Sequence, residues 1–159
     1  MRYEIPSTTR EAATLLANES GGAFVLAGGT DLLVRMKLGH IEPALVVDIK
    51  RIPAMCSISH SAKGTRIGAA VSGAELGEHK AVAKAWPGVV EAANLIGSDQ
   101  VQNRCTLVGN LCNASPAADS VPAMIAATNA DTAAHSLSPN MNRTNTATIR
   151  TACSRPSRT

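Results

Sequence analysis

Gly28 and Gly29 stand side by side between an apolar run, Val25-Leu26-Ala27, and a polar pair, Thr30-Asp31, that opens a helically spaced segment at Leu32. The pattern reads as strand, tight turn, helix start. Adjacent glycines let the backbone turn sharply and approach another group with no Cβ in the way. The first N–H groups of the following helix lack intrahelical partners, and the positive end of the helix dipole favours an anion such as phosphate. A plain strand-to-helix connection, with Thr30 or Asp31 as N-cap, fits the same residues equally well.

The flanking sequence supplies the frame for that turn. Residues 2–6 suit a short strand. Thr8 and Glu11 have capping-box spacing ahead of a helix over 12–17, which Gly21 and Gly22 stop. A second strand over 24–27 precedes the turn. Leu32, Leu33 and Met36 mark a short helix ending near Gly39, and residues 44–49 form the apolar run of a buried strand. This order predicts a small parallel β-α-β-α-β unit, whose right-handed crossovers put the glycine turn at the carboxyl edge of the sheet, where ligands bind.

From Ile52 the pattern changes. Residues 56–60 and 65–69 alternate around a turn at 61–64, which predicts an antiparallel hairpin. Helical stretches follow at 74–79 and 89–96, with Pro87 just ahead of the second. The fold class expected is therefore α+β, in two subdomains: residues 1–52, then 53–130 with an antiparallel sheet and helices. Residues 131–159 lack sustained periodicity and read as a divergent, disordered tail.

Composition narrows the chemistry. Hydrophobic residues make up 45% of the 159, yet the aromatics are only Tyr3, Phe24 and Trp86, so the core must be aliphatic and alanine-rich. No stretch approaches the roughly 20 apolar residues of a membrane span, and no apolar leader follows Met1; no membrane role and a cytoplasmic location are expected. Every acidic residue lies at or before Asp131, and Arg143, Arg150, Arg155 and Arg158 come after it. Clustered cations with interleaved aromatics are missing, which argues against a nucleic-acid partner. Cys56, Cys105, Cys112 and Cys153 show neither a C-x-x-C pair nor zinc-finger spacing to histidine. They read as reduced, small hydrophobic fillers, with no metal or iron-sulfur site. His40, His60, His79 and His135 are scattered and read as surface residues. No acid/base dyad stands out, so no catalytic residue is assigned.

A second stretch, residues 100–119, is dense in short hydrogen-bonding side chains. Asn110, Asn113, Ser115 and Asp119 can reach sugar hydroxyls or ring edges, and Thr106 can donate to a phosphate oxygen. The bland alternative is a turn-rich connection in which Asp119 or Ser120 caps a helix over 121–127, with Pro122 in its first turn.

Taken together the two stretches resemble the FAD-binding, medium subunit of the molybdenum hydroxylases, the xanthine dehydrogenase and carbon monoxide dehydrogenase family. That family's first flavin loop reads A-G-G-T-D-L, as do residues 27–32. Its second has the pattern Q-I-R-N-x-x-T-x-G-G-N-L-x-x-A-S-P-x-x-D. Gln100, Asn103, Thr106, Gly109, Asn110, Leu111, Ala114, Ser115, Pro116 and Asp119 match it. The resemblance covers about residues 1–130 and implies FAD as cofactor. Val25, Leu26, Ala27, Gly28, Gly29, Thr30, Asp31 and Leu32 would wrap the pyrophosphate. Thr106, Leu107, Val108, Gly109 and Asn110 would contact the dinucleotide and flavin, and Asp119 cofactor hydroxyls. The side chain of Asp31, repelled by pyrophosphate, is expected to turn back onto the backbone as a capping group.

The resemblance further implies an oxidoreductase subunit that passes electrons from the iron-sulfur clusters of a small subunit to NAD or another acceptor. The substrate would be hydroxylated at a molybdopterin-containing large subunit. Two positions depart from the pattern: Val108 replaces a glycine, costly if φ must be positive there, and Gln102 replaces an arginine. From about Asn129 the family pattern ceases, and a truncated or frameshifted gene product is the expectation for the tail. A catalytically silent remnant or interaction module is the alternative reading of the whole. A flavoenzyme of the UDP-N-acetylenolpyruvoylglucosamine reductase kind fits the first loop but not the A-S-P-x-x-D of the second.

Overall fold

The computed structural model describes residues 1–61 and 64–136. Its first half is built on β3 (Leu45–Asp48), with β1 (Arg2–Glu4) and β2 (Ala23–Leu26) paired parallel to it on either side. Tyr3, Val46 and Phe24 lie in register across the sheet, and Leu26 is paired with Asp48 at its carboxyl edge. An unbroken apolar run explains why β3 is central: Leu45, Val46 and Val47 are at most 2% exposed, as befits a parallel strand covered on both faces. On one face Ala12 of α1 (Thr9–Ala17) packs with Leu45, Val47, Ile49 and Ile52. The second crossover carries α2 (Leu32–Lys37), none of whose residues is buried. The expected β-α-β-α-β unit is present.

The capping of α1 differs in detail from the expected box. Thr8 Oγ1 accepts from the N–H of Glu11, 3.2 Å, but the Glu11 carboxylate reaches one residue further back, to the N–H of Ser7 at 2.9 Å.

Beyond two short 3-10 turns, Ile49–Arg51 and Pro53–Met55, come β4 (Ile58–Ser61) and β5 (Gly64–Ile67), an antiparallel pair. Residues 62 and 63 of the expected hairpin turn lie outside the described residues. The helices α3 (Gly73–Glu78), α4 (Lys80–Ala85), α5 (Pro87–Asn94), α6 (Asp99–Gln102), α7 (Leu107–Asn113) and α8 (Ser120–Ser136) follow. Val71, Leu76, Val82, Val89, Val90, Ala93, Leu107 and Met124 form their common core. Burying one such valine or leucine is worth about 1.5–3 kcal/mol. Among the described residues the antiparallel sheet has two strands, and an isolated antiparallel bridge outside it joins Ser72 to Thr106, so helices carry this half more than the sequence suggests.

Met55, Ala69 and Ala70, all past residue 52, pack on the first core. Helix α8 runs to Ser136, beyond the expected start of the tail at 131; residues 137–159 of that tail lie outside the described residues.

Candidate functional site

β2 ends at Leu26, and the chain leaves the carboxyl edge of the sheet through Ala27, Gly28 and Gly29. Gly29 has φ +83°, a backbone conformation that costs an L-residue about 1–2 kcal/mol. Gly28 is fixed by proximity instead: a Cβ there would lie 2.1 Å from the carbonyl oxygen of Arg104 and 3.1 Å from Cα of Cys105. The first loop thus presses directly on the backbone that leads into the second. Leu33 N–H donates to Gly29 O, 3.0 Å, the first bond of the α2 ladder, so the amides of Thr30, Asp31 and Leu32 precede that ladder.

The second segment is helical where a turn-rich loop was expected. Thr106 is the N-cap of α7; its Oγ1 accepts from the N–H of Gly109, 2.9 Å, and a Cβ on Gly109 would lie 2.6 Å from that oxygen. Leu107, Val108, Gly109 and Asn110 form the first turn of α7. Val108 therefore carries no positive φ; among the described non-glycine residues only Ala114, the C-cap of α7, does, at +52°. A β-branched residue at 108 costs no backbone strain.

Between the two segments lies a cleft of about 190 Å³. Ala27, Gly28, Gly29, Thr30, Asp31 and Leu32 line one side, and Thr106, Gly109 and Asn110 the other. Asn110 Oδ1 is buried without a hydrogen-bond partner. An orphaned buried acceptor costs about 1–3 kcal/mol, and this one belongs to a residue that lines the cleft.

Beneath the glycine turn runs a polar chain that the sequence reading did not assign. Lys50 Nζ donates to Ala27 O at 3.1 Å and pairs with Asp48 Oδ1 at 2.8 Å, while the Tyr3 hydroxyl donates to Asp48 Oδ2 at 2.5 Å. Burial by itself would push the Asp48 carboxyl up, but the hydrogen bonds from Lys50 and Tyr3 outweigh it and hold the group below its ordinary 3.8. The hydrogen bond to Asp48 raises the Tyr3 phenol above its ordinary 10.0, and desolvation and the Asp48 charge act the same way.

Not every expected site residue reaches the cleft. Val25 and Leu26 are in β2, Leu107 belongs to the helical core, Val108 sits half-buried on α7, and Asp119 is exposed just ahead of α8. None of these lines the cleft. Asp31 makes no side-chain capping bond, contrary to expectation, and its carboxylate is exposed. Ser120 caps nothing either: it is fully buried in α8 with Oγ unpartnered. Asn113, expected among the hydrogen-bonding side chains of the second stretch, lines the cleft, as do Phe24, Arg35, Ile96, Cys105 and Cys112, which escaped the sequence reading. Arg35 had a signal, since it follows Asp31 by one helical turn; the rest are brought in only by the tertiary fold.

Of the cysteines expected as reduced, small hydrophobic fillers, Cys105 is buried and Cys56 and Cys112 are exposed; Cys56 and Cys105 form no disulfide, and Cys153 lies outside the described residues. Burial pushes the Cys105 thiol up, so it stays protonated at neutral pH. Among the described residues no group of His, Cys, Asp or Glu could hold a metal ion, and no helix is long and apolar enough to cross a membrane.

Residues 1–148 match the family model described as the FAD binding domain in molybdopterin dehydrogenase, a match that runs past the residue-130 limit of the motif resemblance. The chain is 33% identical over 135 residues to the 6-hydroxypseudooxynicotine dehydrogenase complex subunit alpha of Paenarthrobacter nicotinovorans, covering 85% of this chain and 45% of that one. It is 36% identical over 117 residues to the carbon monoxide dehydrogenase medium chain of Hydrogenophaga pseudoflava, covering 74% and 41%. A solved structure of carbon monoxide dehydrogenase from the same organism superposes with a TM-score of 0.70 at 35% identity, over 73% of this chain and 40% of that one. The chain thus spans less than half the length of these relatives.

Proposed function

Because the chain belongs to the family of FAD binding domains in molybdopterin dehydrogenases, we propose that its cleft takes part of FAD within an electron-transferring oxidoreductase subunit. The observation that carries this reading is the meeting of two segments far apart in sequence, Gly28-Gly29 and Thr106-Gly109-Asn110, across one cleft. The residues fit the ligand. The two glycines put no side chain between the backbone of the turn and the cleft, which admits close approach of a phosphate, and Asn110, which lines the same cleft, has a buried Oδ1 without a partner. Arg35 on the cleft wall makes no ion pair among the described residues and is available to an anion. At about 190 Å³ the cleft is smaller than the roughly 300–1,000 Å³ of a site enclosing a whole small-molecule ligand, so it takes one part of the dinucleotide.

FAD, when bound, supplies the redox chemistry. The chain's own residues bind and orient. Ala27, Gly28, Gly29 and Thr30 offer backbone to the pyrophosphate, with Val25, Leu26 and Leu32 holding the loop. Thr106 fixes the first turn of α7, and Asn110 accepts a hydrogen bond from the cofactor. Asp31 lines the cleft but is exposed, so solvent screens its charge from the phosphates. Asp119 is assigned to cofactor hydroxyls by the motif match alone.

As parts of the same proposal, electrons arrive from the iron-sulfur clusters of a small subunit and leave to NAD or another acceptor. A molybdopterin-containing large subunit oxidises the substrate. The division at residues 52 and 53 separates two FAD-contacting parts, and Cys56 and Cys105, which form no disulfide, suit a cytoplasmic setting.

The test is direct. The purified chain is incubated with FAD, freed of excess by gel filtration and denatured, and the released flavin is measured. About one FAD per chain is expected; release of no FAD above a buffer blank would overturn the assignment.

A further inference from the structure

The polar chain beneath the glycine turn does more than join two strands. We propose that Tyr3, Asp48 and Lys50 form a clamp that fixes the peptide plane between Ala27 and Gly28, making Lys50 a positioning residue for the anionic part of the ligand. The ligand in this inference rests on the FAD reading above; the clamp itself does not.

Three features carry it. First, the clamp has little freedom. Asp48 is 6% exposed and both its oxygens are engaged: Oδ1 by the Lys50 ammonium at 2.8 Å and the Lys50 N–H at 2.9 Å, Oδ2 by the Tyr3 hydroxyl. The ammonium is thus held in one place, and its bond to Ala27 O, 3.1 Å, holds that carbonyl.

Second, a trans peptide is planar, and its C=O and N–H point in opposite directions. The peptide bonds of the described residues are trans. Fixing Ala27 O therefore fixes the direction of the Gly28 N–H, the first amide of the turn that lines the cleft.

Third, the far side of the same residue is fixed too, because Gly28 rests against the carbonyl of Arg104. The turn is gripped from both sides, by a side-chain clamp and by backbone. A device that only stapled β1 to β3 would be complete with Tyr3 and Asp48; the bond from Lys50 to the loop adds nothing to that staple. What it adds is a preset orientation, and presetting spares a ligand the cost of ordering the loop on binding.

Full-length Lys50→Met, Lys50→Arg and Tyr3→Phe chains test this by two readouts. The first is amide hydrogen exchange of peptides covering residues 24–34 without ligand. The second is FAD affinity from flavin fluorescence titration, with melting temperature followed alongside. Lys50→Met keeps the aliphatic stem. It is expected to speed exchange in the loop and to weaken FAD binding about tenfold, the value of one charge-assisted hydrogen bond. Lys50→Arg should restore most of both, and Tyr3→Phe should give a smaller change in the same direction. Loop exchange in Lys50→Met equal to that of the parent overturns the clamp. Faster exchange with unchanged FAD affinity overturns the positioning role while leaving the flavin reading intact. If the parent chain binds no FAD, the flavin reading fails, and the exchange measurement still decides the clamp.

Discussion

The Cα of Gly28 and the carbonyl oxygen of Arg104 are so close that a methyl group on the glycine would sit 2.1 Å from that oxygen. Both partners are backbone, so neither can swing aside as a long side chain would. Gly28→Ala is expected to destabilise the chain by about 2 kcal/mol or more, in the upper part of the range for overpacking, and to cost FAD binding as the cleft walls separate. Urea midpoints and flavin titration check this; a midpoint within error of the parent would refute the contact.

Gly29 presents a different obstacle. Its φ of +83° strains any side chain, but the atoms a Cβ would meet, Leu26 Cδ1 at 2.9 Å and Leu33 Cδ1 at 3.0 Å, are the ends of flexible side chains. Gly29→Ala should therefore cost about 1–2 kcal/mol, mostly backbone strain. Gly39→Ala, with φ +69° and open space around it, is the comparison for strain alone. The two costs should agree to within about 1 kcal/mol, and a far larger loss at Gly29 would show that Leu26 and Leu33 cannot yield.

Thr106 starts α7 and is 4% exposed. Thr106→Ala should cost about 1 kcal/mol through the lost cap, whereas Thr106→Ser, which keeps the oxygen, should recover most of it. Equal losses from both would mean that the methyl group, not the capping bond, carries the residue's contribution.

At Asn110 stability and binding should move in opposite directions. Its buried Oδ1 has no partner, so Asn110→Leu removes an unmet acceptor and should leave the ligand-free chain as stable as before, or up to about 1 kcal/mol more stable. The same change should weaken FAD binding about tenfold. Thermal melts and flavin titration are the measurements, and a clear loss of stability would show that the oxygen is already satisfied.

Stability should fall at both ends of the pH scale through one network. The folded-state value of Asp48 lies below 3.8, so its share is present above pH 3.8 and lost as pH drops through the folded value. That of Tyr3 lies above 10.0, so its share is present below pH 10.0 and lost as pH rises through the folded value. Melting temperature against pH should show a shallower acid limb in Asp48→Asn and a shallower alkaline limb in Tyr3→Phe; parallel curves for all three chains would refute the assignment.

The β-α-β-α-β unit was readable in advance because its signals are local. Leu45, Val46 and Val47 announce a strand buried on both faces, and the Gly28-Gly29 pair marks the turn. The second half was read less well. Ser72 and Glu75 carry the spacing of a capping box that α3 does form, with Glu75 accepting from Ser72 N at 2.8 Å, and this signal was missed. Thr106 was read as a ligand contact when it is also an N-cap, because the amide-rich sequence around Asn110 and Asn113 looks like loop until the cap organises it. The grip of Lys50 on Ala27 and the contact of Gly28 with Arg104 were not legible at all. Both join residues distant in sequence, and neither leaves a periodicity to detect.

The sheet order β1-β3-β2 has a consequence for how the chain assembles as it is made. The first two strands do not pair with each other; both wait for β3, so no sheet can form until synthesis has passed Asp48. The glycine turn waits longer, since the backbone that wedges it arrives with Arg104 and Cys105. Each of these closures spans a long stretch of chain, and such closures are slow because their entropic cost precedes any contact that offsets it. A nascent chain therefore acquires its sheet first and its cleft last, and the site becomes competent only when both halves have been delivered.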